Sequence, residues 1–442
     1  MLALLSTPAW SQENVPSAAD DSQDQAESSA RKGLLPLRTY GGPLSEREYL
    51  LGNWWDVRDR LIERGMRYEL NWTQVLQGVT DGGAGDETEY GGKFEIPVLL
   101  DLDRMDVLPG ALLSLRVESK YGESVNRDAR VLLAPNDVQY FPQGDPGDDS
   151  VLAVTEVRYT QFLSKVFGVF LGKLTVLGGD ANEFAGGRGD TQFLGHSFIA
   201  PAVTALMNPY SGLGAGVFWM SGTGLTLTSS VYSTNDAATT SGVDELSEGL
   251  TWSTSLRSQY ESELGPGGMN FVFQSAFDGD FADVEGQFVE KGILNLPSES
   301  DSWNAFWNVW QYLSVQEESG QPVDPTNGRT DLRGTGVFAR FGVADHETNP
   351  VKWALSVGVG GRGAFSDRKD DTFGVGYARS ELRESLLTDS ALVDDSGHRW
   401  EAYYSFALTP AVSLTLNAQL LDPLLETVDT VSVLGMRLRC SL

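Results

Sequence analysis

An all-β chain is what this sequence predicts: a transmembrane antiparallel β-barrel of about sixteen strands, with a short N-terminal helix and inward-folded loops. Three observations carry the prediction. Apolar and polar residues alternate with period two along most of the 442 residues. In Val412 to Leu420, Val412, Leu414, Leu416, Ala418 and Leu420 share one strand face, and Ser413, Thr415, Asn417 and Gln419 the other. No run approaches the roughly 18 apolar residues of a membrane helix, and mean hydropathy is -0.21. Aromatics at 10%, including 11 Trp, and 49 Gly suit interfacial girdles and tight turns.

Met1 to Ser11 reads as a partial signal peptide ending in the A-x-S site Ala9-Trp10-Ser11, without the usual positively charged start. Residues 12–45 read as an acidic, Ser-rich disordered segment. Residues 46–65 carry a short helical pattern: Trp54, Val57, Leu61 and Ile62 share a face, and Gly65 is placed to end it. Residues 66–442 form the barrel.

The strands begin at Arg67. Tyr68, Leu70, Trp72 and Leu76 oppose Glu69, Asn71, Thr73 and Gln77. Phe94, Ile96, Val98 and Leu100 oppose Glu95 and Asp101, with Pro97 suggesting an edge or bulge. Leu113, Leu115, Val117 and Tyr121 oppose Ser114, Arg116, Glu118 and Lys120, and Val157 and Tyr159 oppose Glu156, Arg158 and Thr160. Twelve further alternating runs follow, starting near Val166, Gly216, Leu225, Thr251, Met269, Trp303, Gly334, Lys352, Asp371, Arg399, Val412 and Thr430. Connections alternate between tight ones such as Thr409-Pro410-Ala411 and long ones such as 122–153 and 278–302, as outer-membrane barrels do.

The formal charge of -29, from 61 acidic and 32 basic residues, disfavours nucleic acid as a partner. A single Cys440 excludes a disulfide framework, and His196, His346 and His398 are too scattered for a histidine metal cluster. No cofactor is implied. Gly358, Gly360 and Gly363 spell GxGxxG, but a turn and a strand follow instead of the helix that a dinucleotide site needs, so glycines easing a strand end is the better reading. Arg188-Gly189-Asp190 reads as an ordinary loop, and Asn71-Trp72-Thr73 is a sequon inside a strand. No GxSxG, HExxH or P-loop is present.

Charged residues in the alternating strands should face water, because a dry core makes them costly. The lumen and constriction candidates are Arg116, Glu118, Lys120, Glu156, Arg158, Lys173, Arg188, Arg340 and Glu401. Taken singly, each is a solvated wall residue; as a set they imply a water-filled interior with fixed charges, narrowed by inward loops.

Several stretches resemble the OprB-type carbohydrate-selective porins, from about Tyr49 to the end. Tyr49, Leu50, Gly52, Trp54, Arg58, Leu61 and Gly65 match the family's opening helix. LDLDRMDVLPGALL, GKLTVLGGDANEFAGGRGDTQFLGHSF, GTGVFARFGVADHETNPVKWALSVGVGGRGAF, DDTFGVGYARSEL and HRWEAYYSFALTPAVSLTLNAQLLDP follow in the family's order. The chain departs from the family at Leu416-Asn417-Ala418-Gln419, where Pro-Asp-Leu-Gln is usual, and at the end, where Cys440-Ser441-Leu442 replaces a terminal aromatic. The resemblance implies a sixteen-stranded outer-membrane barrel passing sugars by diffusion, with Arg, Glu and aromatic residues at the constriction.

The expected function is therefore passive diffusion of carbohydrates and other small hydrophilic solutes, with outer-membrane lipid around the barrel and no chemical step. A general cation-preferring pore, an outer-membrane barrel hydrolase and a soluble all-β binding protein are the rivals. Self-association stays open, because no strand shows an obvious contact face.

Overall fold

A strand with oil on one side and water on the other must invert the usual burial order, and this chain does. In the computed structural model, which describes residues 33–144, 150–205, 207–290, 293–295, 297–324, 329–365, 367–383, 394–423 and 427–442, Leu416 and Leu420 are 46% and 51% exposed. Thr415, Asn417 and Gln419 between them are buried. The apolar face looks outward and the polar face inward.

Sixteen long strands close the barrel. They are β1 (Asn71–Asp81), β2 (Thr88–Asp101), β3 (Ala111–Gly122), β4 (Ser150–Phe162), β5 (Phe167–Thr175), β6 (Ser211–Met220), β7 (Leu225–Ser233) and β8 (Leu250–Ser262). The second half comprises β9 (Gly265–Phe277), β10 (Ser302–Val315), β11 (Gly334–Ala344), β12 (Val351–Arg362), β13 (Thr372–Leu382), β14 (Ser396–Thr409), β15 (Val412–Leu421) and β16 (Val431–Ser441). Each pairs antiparallel with its chain neighbour, and β1 pairs with β16 from Asn71↔Ser441 onward, which removes both sheet edges. A short strand, Met66–Tyr68, adds to β2 near the termini.

Connections on the side of the termini are mostly tight, such as 163–166, 221–224, 263–264 and 410–411. The opposite side carries the long loops 123–149, 176–210, 234–249 and 278–301, which makes it the extracellular side. Residues 316–333 depart from this rule, since they place a small hairpin, Gln321–Asp324 with Arg329–Asp331, on the side of the tight turns.

The N-terminal segment differs from its expectation in two ways. Residues 1–32, which hold the signal-peptide reading and most of the disordered one, lie outside the described residues. Residues 33–45 are tied down, however: the Leu34 and Leu35 amides donate to Asp101 Oδ2 at 2.7 and 2.9 Å. The helix spans only Val57–Glu63, because Trp54, Trp55 and Asp56 all take left-handed backbone (φ 51°, 54° and 62°) and stop it from extending back to residue 46. Arg58, from that helix, stacks over Tyr49 at 4.7 Å and Tyr68 at 5.1 Å and donates to the Leu442 carbonyl. The helix thus holds the seam where β1 and β16 meet.

Candidate functional site

Loop 176–210 leaves β5 and folds into the lumen, as buried Phe184, Phe193 and Phe198 show. Its aromatic rings rest on a floor of inward-facing glycines. A Cβ on Gly376 would stand 2.5 Å from the Phe198 ring, and one on Gly374 2.8 Å from Phe193. Gly336 and Gly360 make the same room for Phe184, while Gly358 accommodates Phe338. A side chain at Gly336, Gly360, Gly374 or Gly376 would push the loop off the wall, and one at Gly358 would displace Phe338 of β11. This explains the glycines of GVGG, two of which clear wall space within β12, with Gly363 taking a left-handed turn (φ 73°).

Polar anchors hold the loop at both flanks. On one flank Arg188 donates to Glu95 of β2 at 2.9 Å, Glu118 of β3 at 3.2 Å and Tyr210 Oη at 2.6 Å. The Tyr210 hydroxyl in turn donates to Glu118 at 2.8 Å. Lys93 lies 3.5 Å from Glu118 and 3.9 Å from Asp190, and Arg116 Nε is 3.1 Å from Glu95. On the other flank Arg340 of β11 donates through Nε to Asp180 at 2.6 Å, through Nη1 to the Phe198 carbonyl at 2.9 Å, and through Nη2 to the Ala185 carbonyl at 2.6 Å. Glu401 of β14 accepts from the Leu194 and Gly195 amides and from Asn417 Nδ2.

Loop 123–149 locks onto the same assembly through its described part. His196 Nδ1 and Asp137 Oδ1 are 2.6 Å apart, and the Asp137 amide donates to the Leu194 carbonyl. Arg399 donates to the Leu133 and Ala134 carbonyls, and Gln419 to that of Pro135. Two loops and the wall therefore form one hydrogen-bonded body inside the barrel. Its many buried charges would be costly alone, but each is paired or multiply hydrogen-bonded.

The structure brings Arg116, Glu118 and Arg188 into one cluster. Glu156 and Arg158 stand 3.5 Å apart on the adjoining β4, and Arg158 also donates to Ser114 at 3.4 Å. Arg340 and Glu401 serve the opposite flank of the loop. Lys120, half-buried, faces inward in register with Lys93. Lys173 lies apart: it shares a strand face with Leu171, which is 52% exposed, and donates to the Ala238 carbonyl at 2.9 Å under loop 234–249. Gly172, with its φ of 126°, precedes it, and the rim loop covers what would otherwise be a lipid-facing ammonium. Sequence reasoning did not single out Lys93, Asp180, Tyr210, Arg399 or Arg437 as site residues. Lys93, Arg399 and Arg437 alternate with apolar neighbours and were open to the same argument as Arg116; Asp180 and Tyr210 sit in a loop without periodicity.

What this arrangement does physically is narrow the barrel from within. A family model described as carbohydrate-selective porin, OprB family, matches residues 86–442. Porin B of Pseudomonas aeruginosa is 23% identical over 440 residues, spanning 89% of this chain and 91% of that protein. Among solved structures, the high-pH structure of Pseudomonas putida OprB superposes with a TM-score of 0.75 at 19% identity. The low-pH structure of the same protein gives 0.58 at 16% identity. Both matches cover 90% of this chain and 99% of the other. With the barrel closed and the family model matching most of its length, this chain belongs to the OprB family of carbohydrate-selective porins of the bacterial outer membrane.

Proposed function

We propose that carbohydrates diffuse passively through the space left beside loop 176–210, with no chemical step, and that the fixed charges around that loop shape the constriction. The observation behind this is the doubly anchored loop itself: Arg188 on Glu95 and Glu118 at one flank, Asp180 on Arg340 at the other. A loop held that firmly sets a permanent narrowing, so selection acts through size and hydrogen bonding to hydroxyls. In such a reading Arg116, Glu156 and Arg158 offer hydrogen-bonding groups to the solute, while Arg188, Arg340 and Glu401 position the loop.

The rival, a cation-preferring general pore, draws on the net charge of -29. The lumen weakens it, because Glu95, Glu118, Glu156, Asp180 and Asp190 each lie within 4 Å of a guanidinium or ammonium. Planar-bilayer conductance with a panel of sugars separates the two. Concentration-dependent reduction by glucose or maltose supports the carbohydrate channel; a strongly cation-selective reversal potential with no reduction by any sugar overturns it.

A further inference from the structure

The hydrogen-bonding groups of the lumen divide between two tasks. Many of those on β2, β3, β11 and β14 hold loop 176–210, which also reaches β9 and β10 where Asn208 donates to Gln274, Asn304 to Met207 and Asn182 to Asn308. On β7, β8, β9 and β10 a different surface faces inward. Ser230, Ser253, Gln274 and Asn304 lie in register across the four strands, so they form one polar row. Asn270 and Asn308 pair in register in a second row, beside Arg257. Between the two rows run Val272 and Phe306, again in register and buried.

Much of this surface lacks protein partners. Thr228 Oγ1, Ser230 Oγ, Asn304 Oδ1, Asn308 Nδ2 and both amide atoms of Asn270 are buried with no hydrogen-bond partner. These residues are at most 3% exposed. Buried polar atoms are satisfied almost without exception in folded proteins, so a cluster of orphans points to water or a solute as the missing partner.

From this we infer that the β7–β10 surface is the hydroxyl-recognising track of the channel, and that it sets the preference for neutral polyhydroxylated solutes over ions. The inference rests on the carbohydrate reading above and assigns it a surface. Hydroxyl groups both donate and accept, as do amides and hydroxyls on the wall, so each group shed from water finds a replacement of either sense. An ion gains little here, since the side chains of the two rows are neutral, with Arg257 beside them.

The test replaces orphaned groups that hold nothing else in place: Thr228→Val, Asn270→Leu and their combination, in the full-length protein reconstituted into liposomes and planar bilayers. The reading is the ratio of maltose permeation to KCl conductance. One lost hydrogen bond corresponds to about fivefold, so the ratio in the double variant should fall by at least that factor. An unchanged ratio, with sugar and salt moving together, overturns the track. Wild-type protein that excludes maltose would overturn the carbohydrate reading and the track with it, and is seen separately because it needs no variant. If Asn270→Leu fails to give the heat-modifiable folded barrel, Thr228→Val and Ser230→Ala decide on the same ratio.

Discussion

Arg188, at the tip of an inward loop, and Glu95, ninety-three residues earlier on β2, meet at 2.9 Å inside the barrel. The contact fastens a loop that leaves the wall at β5 to the first strands of the chain. Arg188 takes left-handed backbone (φ 52°) and is followed by Gly189, whose carbonyl accepts from Arg437 of β16. The tip is thus clamped to β2, β3 and β16 together.

Arg188→Ala takes one guanidinium from both Glu95 and Glu118, which keep Arg116 at 3.1 Å and Lys93 at 3.5 Å as their cationic neighbours. Removing one partner of a buried ion pair costs up to about 3–5 kcal/mol, and the loop pays it by detaching rather than the barrel by unfolding. Single-channel conductance should rise and become noisier, with the sixteen strands intact by circular dichroism. A quiet channel of wild-type conductance would show that the aromatic floor alone holds the loop.

Gly376→Val brings side-chain atoms into the space of the Phe198 ring, where even a Cβ sits at 2.5 Å. Overpacking of this kind costs about 1–3 kcal/mol. The expected result is new protease sensitivity within loop 176–210 on intact cells, while Val375→Ala on the outward face leaves the loop resistant. Equal resistance in both variants would mean that the floor tolerates filling.

Arg340→Lys keeps the charge opposite Asp180 but loses the planar fork that reaches Asp180 and the Phe198 and Ala185 carbonyls together. The two abandoned carbonyls should cost about 1–3 kcal/mol. Midpoints of thermal unfolding in detergent measure this, and an unchanged midpoint would place the anchoring elsewhere.

Asp371 closes the tight turn before β13. It accepts two bonds from Arg368 at 2.8 Å, one from Tyr404 at 2.8 Å and one from the Ala407 amide at 2.9 Å. Burial raises its pKa, but these donors outweigh burial and hold the carboxyl below its ordinary value. A depressed folded-state pKa contributes stability above the unfolded value, about 3.9, and that contribution is lost as pH falls through the folded one. Asp371→Asn should therefore be less stable than wild type at pH 7, with the gap closing as the pH is lowered through and below 4. A gap independent of pH would assign the effect to shape instead of charge.

The wall was legible in the sequence. Every alternating run from Arg67 onward corresponds to a strand, and VSLTLNAQL has the facing it was given: Leu416 to the outside, Asn417 and Gln419 to the lumen, where they bond Glu401 and the Pro135 carbonyl. Period-two alternation is a local property, because each strand meets oil on one side and water on the other whatever its neighbours are. Arg116 and Glu118 could be placed for the same reason.

The interior belongs to the tertiary structure. Nothing within AGGRGD specifies that Arg188 reaches Glu95 and Glu118, and nothing within VGVGGRG specifies which rings its glycines receive. Loops carry no periodicity, and their partners lie 70 to 160 residues away, as Arg188–Glu118 and Arg340–Asp180 do. Lys173 makes the same point in reverse: a neighbouring loop, invisible to the alternation of β5, decides what surrounds its ammonium. The sequence by itself determined a closed wall with oil outside and water inside; only the folded chain decided how that water is narrowed, because that depends on contacts between segments the local pattern does not connect.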